Sequence, residues 1–268
     1  MPQALSFSHF AGDPYLNMAF DEWLLARAET TPGFFAVRLY TWQPAAITFG
    51  LNQRQDKAFR ADRLGHTAAI RRVTGGRAIY HDRSELTYAV ALNLSRVSVP
   101  ALAGTLSQTS TRIALALQEF LGRLGRPTDF VRLSSPENAR PDFFHTAPCF
   151  ASHARYELTE GSRKVVASAQ RRLEHGLLQH GSLKLAGIAV HPALGDTQSE
   201  LQPVLTDQFN YFAQLFEASL STTFGVEFER PSLTRAESDR LAQRCESVRK
   251  NCLLRRDAIK QSMPAVSL

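Results

Sequence analysis

The spacing of apolar residues switches between two periods along the chain, and each period predicts a different element. In DPYLNMAFDEWLLARA, Leu16, Ala19, Phe20, Trp23 and Leu24 recur at helical intervals, behind Asp13 as a capping acceptor and Pro14 at the first helical position. FFAVRLYTW and AAITFGLNQ alternate apolar with other side chains, the pattern of half-buried strands. LTYAVALNL is the clearest strand, with Leu86, Tyr88, Val90, Leu92 and Leu94 at period two.

The helical period returns in TSTRIALALQEFLGRLG, where Ile113, Leu117, Phe120, Leu121 and Leu124 form a stripe that closes on Gly125. A proline-rich, polar stretch over 126–150 reads as a loop, and KVVASAQRR and LLQHGSLKL predict two strands around a turn at 174–176. The last third is helical. Phe209, Phe212, Leu215, Phe216 and Leu220 share one face, and Thr234 with Glu237 forms a capping box that opens TRAESDRLAQRCESVRK. Strands and helices do not alternate strictly, so the predicted class is α+β: a mixed, largely antiparallel sheet flanked by helices. No linker-like segment divides the chain. The expectation is a single catalytic domain over 1–268, with a helical part at about 205–260 and a frayed C-terminal tail.

Composition narrows the class of function. Hydrophobic residues make up 44% and charged residues 21% of the chain, which is the balance of an ordinary globular protein. The sequence shows neither a basic-then-apolar leader nor an apolar run of spanning length, so the expected location is the cytoplasm, away from membranes. Three cysteines, Cys149, Cys245 and Cys252, suit free thiols in a reducing compartment. The formal charge of +6 favours acidic partners. It is spread without aromatic interleaving or a binding motif, which argues against nucleic acid.

Candidate chemistry concentrates in RRVTGGRAIYHDRSELTYAV, residues 71–90. Adjacent Gly75 and Gly76 suit either a tight turn or a backbone that a ligand approaches closely, and the spacing matches neither dinucleotide nor P-loop fingerprints. Arg71, Arg72 and Arg77 crowd three cations into seven positions, which calls for solvent or an anion to screen them. Cys149 follows Pro148 in a non-periodic stretch near Arg155, a setting for a reactive thiol. Cys245 and Cys252 lie seven apart on a helical pattern and read as core. The four-residue spacing of His145, Cys149 and His153 suggests a metal triad, but Pro148 interrupts a helix there and no C-x-x-C accompanies it, so no metal is expected. Lys164 taken alone is a surface lysine beside a turn.

Taken in order, LNMAFDEWLL, VRLYTWQPAAITFGLNQ, RRVTGGRAIYHDRSELTYAV, PCFASHARYELT and SRKVVASAQRRLEHGLLQHGSL resemble the biotin and lipoyl protein ligase superfamily over roughly residues 12–190. The closer resemblance is to its cysteine-dependent octanoyltransferase branch, related to lipoate-protein ligase A. Arg77 and HDRSELTYAV after the glycine pair, and Cys149 ahead of a YEL segment, separate that branch from the ATP-dependent ligases. SHA at 152–154 departs from relatives that carry a proline there.

The resemblance implies transfer of octanoyl from acyl carrier protein to a lysine of a lipoyl domain, such as glycine cleavage H protein or a 2-oxoacid dehydrogenase E2. Cys149 would be the nucleophile, no cofactor would be required and ATP is not expected. It further implies an acyl-chain tunnel built by Arg72, Thr74, Gly75, Gly76, Arg77, Ala78 and His81 together with Ser168, Ala169, Gln170, His180 and Gly181. In it the arginines would face the phosphopantetheine or the acidic carrier. Lys164 would lower the Cys149 pKa by its charge, and backbone amides near Gly75–Gly76 or near Ala169–Gln170 would hold the oxyanion. An ATP-dependent ligase, transfer between lipoyl domains and a non-catalytic basic binding module remain open. Cys149→Ala is expected to abolish octanoyl transfer with little change in the denaturation midpoint; unfolding of the variant under conditions where the parent is folded would instead mark Cys149 as a core residue.

Overall fold

In the computed structural model the described residues are 4–53, 59–130, 157–195 and 201–261, with backbone alone for 61 and 253–261. An eight-stranded sheet carries the molecule. Its strands are β1 (Ala4–Gly12), β2 (Phe35–Trp42), β6 (Leu86–Asn93), β7 (Asp129–Phe130), β8 (Leu158–Glu160), β9 (Arg163–Arg172), β10 (Gly176–Leu183) and β11 (Phe228–Glu229). Their order is β11-β1-β2-β6-β10-β9-β8-β7. The β11–β1 and β1–β2 pairs are parallel and the other five antiparallel. A second, three-stranded sheet has β3 (Ala46–Phe49) between β4 (Ala68–Arg71) and β5 (Ile79–His81).

Both faces of the large sheet are covered. Helix α1 (Pro14–Thr30) lies on one, backed by α4 (Arg235–Gln261); α2 (Leu106–Arg123) and α3 (Thr206–Phe224) lie on the other. Period-two alternation distributes β2 between them: Phe35, Val37 and Leu39 pack with α2 and α3, while Ala36, Tyr40 and Trp42 pack with α1. Small side chains at Ala36, Ala89 and Ala91 give α1 a shallow bed. Every residue of β2, β3, β6 and β10 is therefore buried, which corrects the expectation of half-buried strands at FFAVRLYTW and AAITFGLNQ. Helices on both sides leave β2 no wet face, while Ile47 and Phe49 of β3 are covered by Leu64, Ala78, Ala193 and Leu194.

The helix ends follow their sequence signals. Asp13 accepts from the backbone N–H of Tyr15 and Leu16, both at 3.0 Å, and the Thr234–Glu237 box is formed. Helix α2 starts at Leu106, three residues before the predicted stretch, because Thr105 and Gln108 cap it reciprocally. Strand β1 was not signalled by its sequence. Its burial is irregular along SFSHFAG, and it owes its place to parallel pairing with β2.

The glycine pair does not turn a hairpin. Strands β4 and β5 lie on opposite sides of β3, so residues 72–78 cross over the end of β3. Arg72 N–H donates to Phe49 O at 2.9 Å and Leu51 N–H to Thr74 O at 2.7 Å, which clamps the crossover to the strand it passes. The approach depends on Gly50, where a Cβ would stand 1.9 Å from Gly76 O. Gly76 itself has φ +90°, and Arg72 Nη2 lies 2.7 Å from where its Cβ would be. Gly50→Ala is expected to cost about 1–3 kcal/mol of stability or more through this overlap. Gly75→Ala, whose Cβ would meet nothing within 4 Å, should denature like the parent; equal midpoints for the two variants would refute the clamp.

Candidate functional site

A cavity of ≈ 400 Å³, counting the part open to solvent, lies between the crossover and the β9–β10 strands. From the first come Arg72 and Gly76, with His81 from the adjoining β5. The second wall carries Ser168 and Ala169 of β9 with His180, Gly181 and Ser182 of β10, and Met18, Tyr40, Trp42, Thr48 and Thr87 are also among the lining residues. Gly181 lets the strands close up: a Cβ there would stand 2.3 Å from Ala167 O.

Other predicted residues lie behind this wall. Thr74 is fully buried, with Oγ1 2.6 Å from His180 Nε2. Ala78 packs with Ile47, Phe49 and Leu64. Gln170 bonds Gln179 at 2.9 Å. Gly75 and Arg77 give their carbonyls to Arg72. Lys164 is no surface lysine: it is 3% exposed and its Nζ lies 2.6 Å from Glu157 Oε1. Cys149, with His145, His153 and Arg155, falls outside the described residues.

Arg71 and Arg72 hold backbone carbonyls. Arg71 Nη1 donates to the carbonyls of Gly50, Leu51 and Gln53 at 2.6, 3.1 and 2.8 Å. Arg72, 4% exposed, donates to Thr48 O, Gly75 O and Arg77 O at 3.1, 2.7 and 2.9 Å. Their guanidiniums are screened by backbone dipoles, and Arg72 holds the crossover in shape from inside.

Beneath the cavity are two buried carboxylates that sequence reasoning missed. Asp21, on α1, accepts from Arg38 Nη1 at 3.0 Å and Tyr40 Oη at 2.8 Å, and faces His180 Nδ1 at 2.7 Å. Burial alone would push its carboxyl up; the hydrogen bond with His180, the charge of Arg38 and the hydrogen bond from Tyr40 outweigh that and hold it below its usual value. Glu85 faces His81 Nδ1 at 2.6 Å, accepts from Thr87 Oγ1 at 2.7 Å and Ser182 Oγ at 3.1 Å, and pairs with Lys184. Burial opposes its ionisation too, yet Lys184 and His81 draw its pKa down to about 2. Burial lowers the pKa of His81, against the pull of Glu85. Its ring stacks on Trp42 with centroids 4.0 Å apart.

One signal for the first cluster was present in the sequence. Arg38 interrupts the otherwise uncharged strand FAVRLYTW, and Asn17 and Asp21 stand one helical turn apart inside the apolar stripe of α1. A guanidinium buried in a strand requires a carboxylate across from it. Arg38 finds Asp21, and Asn17 adds its Oδ1 at 2.6 Å.

No group of three or more His, Cys, Asp or Glu suited to a metal occurs among the described residues, and no helix there is long and apolar enough to cross a membrane.

Residues 13–190 match the family model described as the lipoyl protein ligase A/B catalytic domain. The chain is similar to octanoyltransferase LipM of Moorella thermoacetica, 38% identical over 177 residues that cover 65% of this chain and 62% of that protein. Octanoyltransferase LipM of Staphylococcus aureus is 37% identical over 177 residues, covering 64% and 62%. The chain thus spans a little over three fifths of the length of these curated relatives. Among solved structures, lipoate-protein ligase A bound with ATP aligns with a TM-score of 0.65 at 16% identity, covering 91% of this chain and 94% of that one. A bi-partite lipoate protein ligase from Thermoplasma acidophilum aligns with a TM-score of 0.63 at 15% identity, covering 92% and 93%. At such identities the likeness to these structures is one of fold.

Glu85→Gln is expected to lower stability at pH 7 by about 3–5 kcal/mol, because Lys184 keeps a buried charge without its partner. The Glu85 carboxylate has a depressed folded pKa, so its contribution is complete above about 4.5 and is lost as pH falls through about 2. The gap between variant and parent in urea denaturation should therefore narrow across that interval; a gap independent of pH would contradict the assignment.

Proposed function

Because the chain belongs to the lipoyl protein ligase A/B catalytic domain family, we propose that it transfers an octanoyl group from acyl carrier protein to a lysine of a lipoyl-domain protein, through a thioester on Cys149. The observation that carries this reading is the 38% identity to a protein named octanoyltransferase, together with a family match, 13–190, that contains Cys149, Lys164 and every cavity residue. The reaction belongs in the cytoplasm, with glycine cleavage H protein or a 2-oxoacid dehydrogenase E2 as acceptor.

The chemistry divides into two displacements. The Cys149 thiolate attacks the carbonyl carbon of the donor thioester, and the bond to the phosphopantetheine sulfur breaks as that thiol leaves and takes up a proton. The acceptor lysine then attacks the new thioester as a free amine; the amide forms, the Cys149 sulfur leaves as thiolate, and the amine proton passes to a base. The donor arrives already activated, so ATP has no step to drive.

An ordinary thiol with a pKa of ~8.5 is only a few per cent ionised at neutral pH. Lys164 supplies the positive charge that favours the anion. Its Nζ is held by Glu157, eight positions after Cys149 in the chain. Beyond Val166 the outer edge of β9 has no strand partner among the described residues, a setting in which the amides near Ala169 and Gln170 would receive the oxyanion.

Incubation with octanoyl acyl carrier protein, without ATP, should add one octanoyl group to the intact mass of the parent and none to that of Cys149→Ala; transfer that proceeds in the alanine variant would defeat the proposal. For Lys164→Ala, the rate of Cys149 alkylation at neutral pH should fall about tenfold, as one unit of thiol pKa implies; an unchanged rate would remove the electrostatic role.

A further inference from the structure

The cavity has many polar residues in its walls and yet turns their polar atoms away from its interior. Tyr40 Oη donates to Asp21 at 2.8 Å, Trp42 Nε1 to Thr87 at 2.8 Å, and Ser182 Oγ to Glu85 at 3.1 Å. Ser168 Oγ is bonded to Tyr88 Oη at 2.7 Å. The Arg72 guanidinium is engaged with backbone carbonyls as described above.

The two imidazoles follow the same plan in parallel. Each runs carboxylate, ring, threonine: Asp21–His180–Thr74 at 2.7 and 2.6 Å, and Glu85–His81–Thr48 at 2.6 and 2.7 Å. An ionised carboxylate only accepts, so in each chain the proton facing it belongs to Nδ1. Thr48 Oγ1 also accepts from Arg72 Nη1 at 3.2 Å and keeps its own proton to give. In a neutral ring that carries its proton on Nδ1, Nε2 has only a lone pair, so it accepts from the threonine hydroxyl and both ring nitrogens are occupied.

The charges behind the wall also cancel in pairs, Asp21 with Arg38 and Glu85 with Lys184. A ligand end that reaches this part of the site meets methyl groups, ring faces and the Gly76 and Gly181 backbone, with no side-chain donor or acceptor left over among the described lining residues.

From this we infer that Asp21 and Glu85 are positioning residues. Each fixes one cavity-lining imidazole as the neutral Nδ1–H tautomer with Nε2 committed to a threonine, so that the cavity selects an acyl tail ending in hydrocarbon and rejects one ending in hydroxyl or carboxylate. The inference rests on the acyl-transfer reading for the identity of the ligand alone. A buried terminal hydroxyl without a partner is disfavoured about tenfold to a hundredfold, and a carboxylate more strongly.

The test uses the full-length protein and ligands that cannot acylate it. Calorimetric titration with octanamide and 8-hydroxyoctanamide should give an affinity for the second about tenfold to a hundredfold weaker. Nitrogen-15 resonances of the labelled imidazoles should report His180 and His81 as Nδ1–H tautomers at neutral pH. Asp21→Asn should convert His180 to a mixture of tautomers and reduce the discrimination between the amides, leaving His81 as it was. If that variant does not fold, the resonances and affinities of the parent decide alone.

Equal affinity for the two amides, failure of octanamide to bind, or an Nε2–H or cationic His180 in the parent would overturn the inference. The acyl-transfer reading is tested apart from it: no transfer from octanoyl acyl carrier protein, with tautomers and affinities as expected, would remove that reading and leave the inference standing.

Discussion

A carboxylate sealed from water beneath a cavity must be answered by its neighbours, and the site is arranged around that requirement. Moving an ion from water into a protein interior costs several kcal/mol even after relaxation. A hydrogen bond to a charged group returns roughly 1.5–3 kcal/mol. One partner would therefore leave Asp21 in deficit, whereas Arg38, Tyr40 and His180 together offset the cost. Because those three sit on β2 and β10, the carboxylate ties α1 to two strands of the sheet. It also fixes the distance at which the crossover can stand, since Thr74 is reached through His180. Packing alone would tolerate small slips of α1 over Ala36, Ala89 and Ala91; the hydrogen-bonded carboxylate does not.

What the sequence disclosed follows a physical divide. Local signals were legible: the Asp13 cap, the Thr234–Glu237 box and the period-two strand at Leu86–Asn93 all depend on neighbours within a few residues. The resemblance brought together the crossover and the β9–β10 wall, which are some ninety residues apart in the chain. Features created by long-range contact were not legible. Strand β1 depends on pairing with β2, and the small sheet on the flanking of β3 by β4 and β5. Nothing local reveals that the carbonyls of 48–53 and 75–77 converge on Arg71 and Arg72. Asp21 and Glu85 went unread for the same reason: their partners lie as far as 159 and 99 positions away, at His180 and Lys184.

Likeness of fold and likeness of chemistry are carried by different parts of the molecule. The solved lipoate ligases share the frame at 15–16% identity, and that frame alone does not choose between an adenylating and a transferring enzyme. In the function proposed above, that choice rests on Cys149, which the matched stretch 13–190 contains. Arg77 contributes to the crossover through its backbone. It is 8% exposed, and its carbonyl is one of those that orient Arg72.

Helices α3 and α4 lie beyond the 13–190 stretch that the family model spans, and their sequence carried little chemical signal. Yet α3 lays Phe209, Phe216, Leu220 and Phe224 into one core, and α4 brings Leu241, Val248 and Cys252 into the other, with Cys252 Sγ 2.6 Å from Ala69 O. The recognisable catalytic portion is thus not a self-contained body. Severed after its last matched residue, it would present two greasy slabs to water, one of them backing the very helix that bears Asp21. Its tail end is scaffolding on which the chemistry leans, and any graft of this site into another protein would have to carry that scaffolding along.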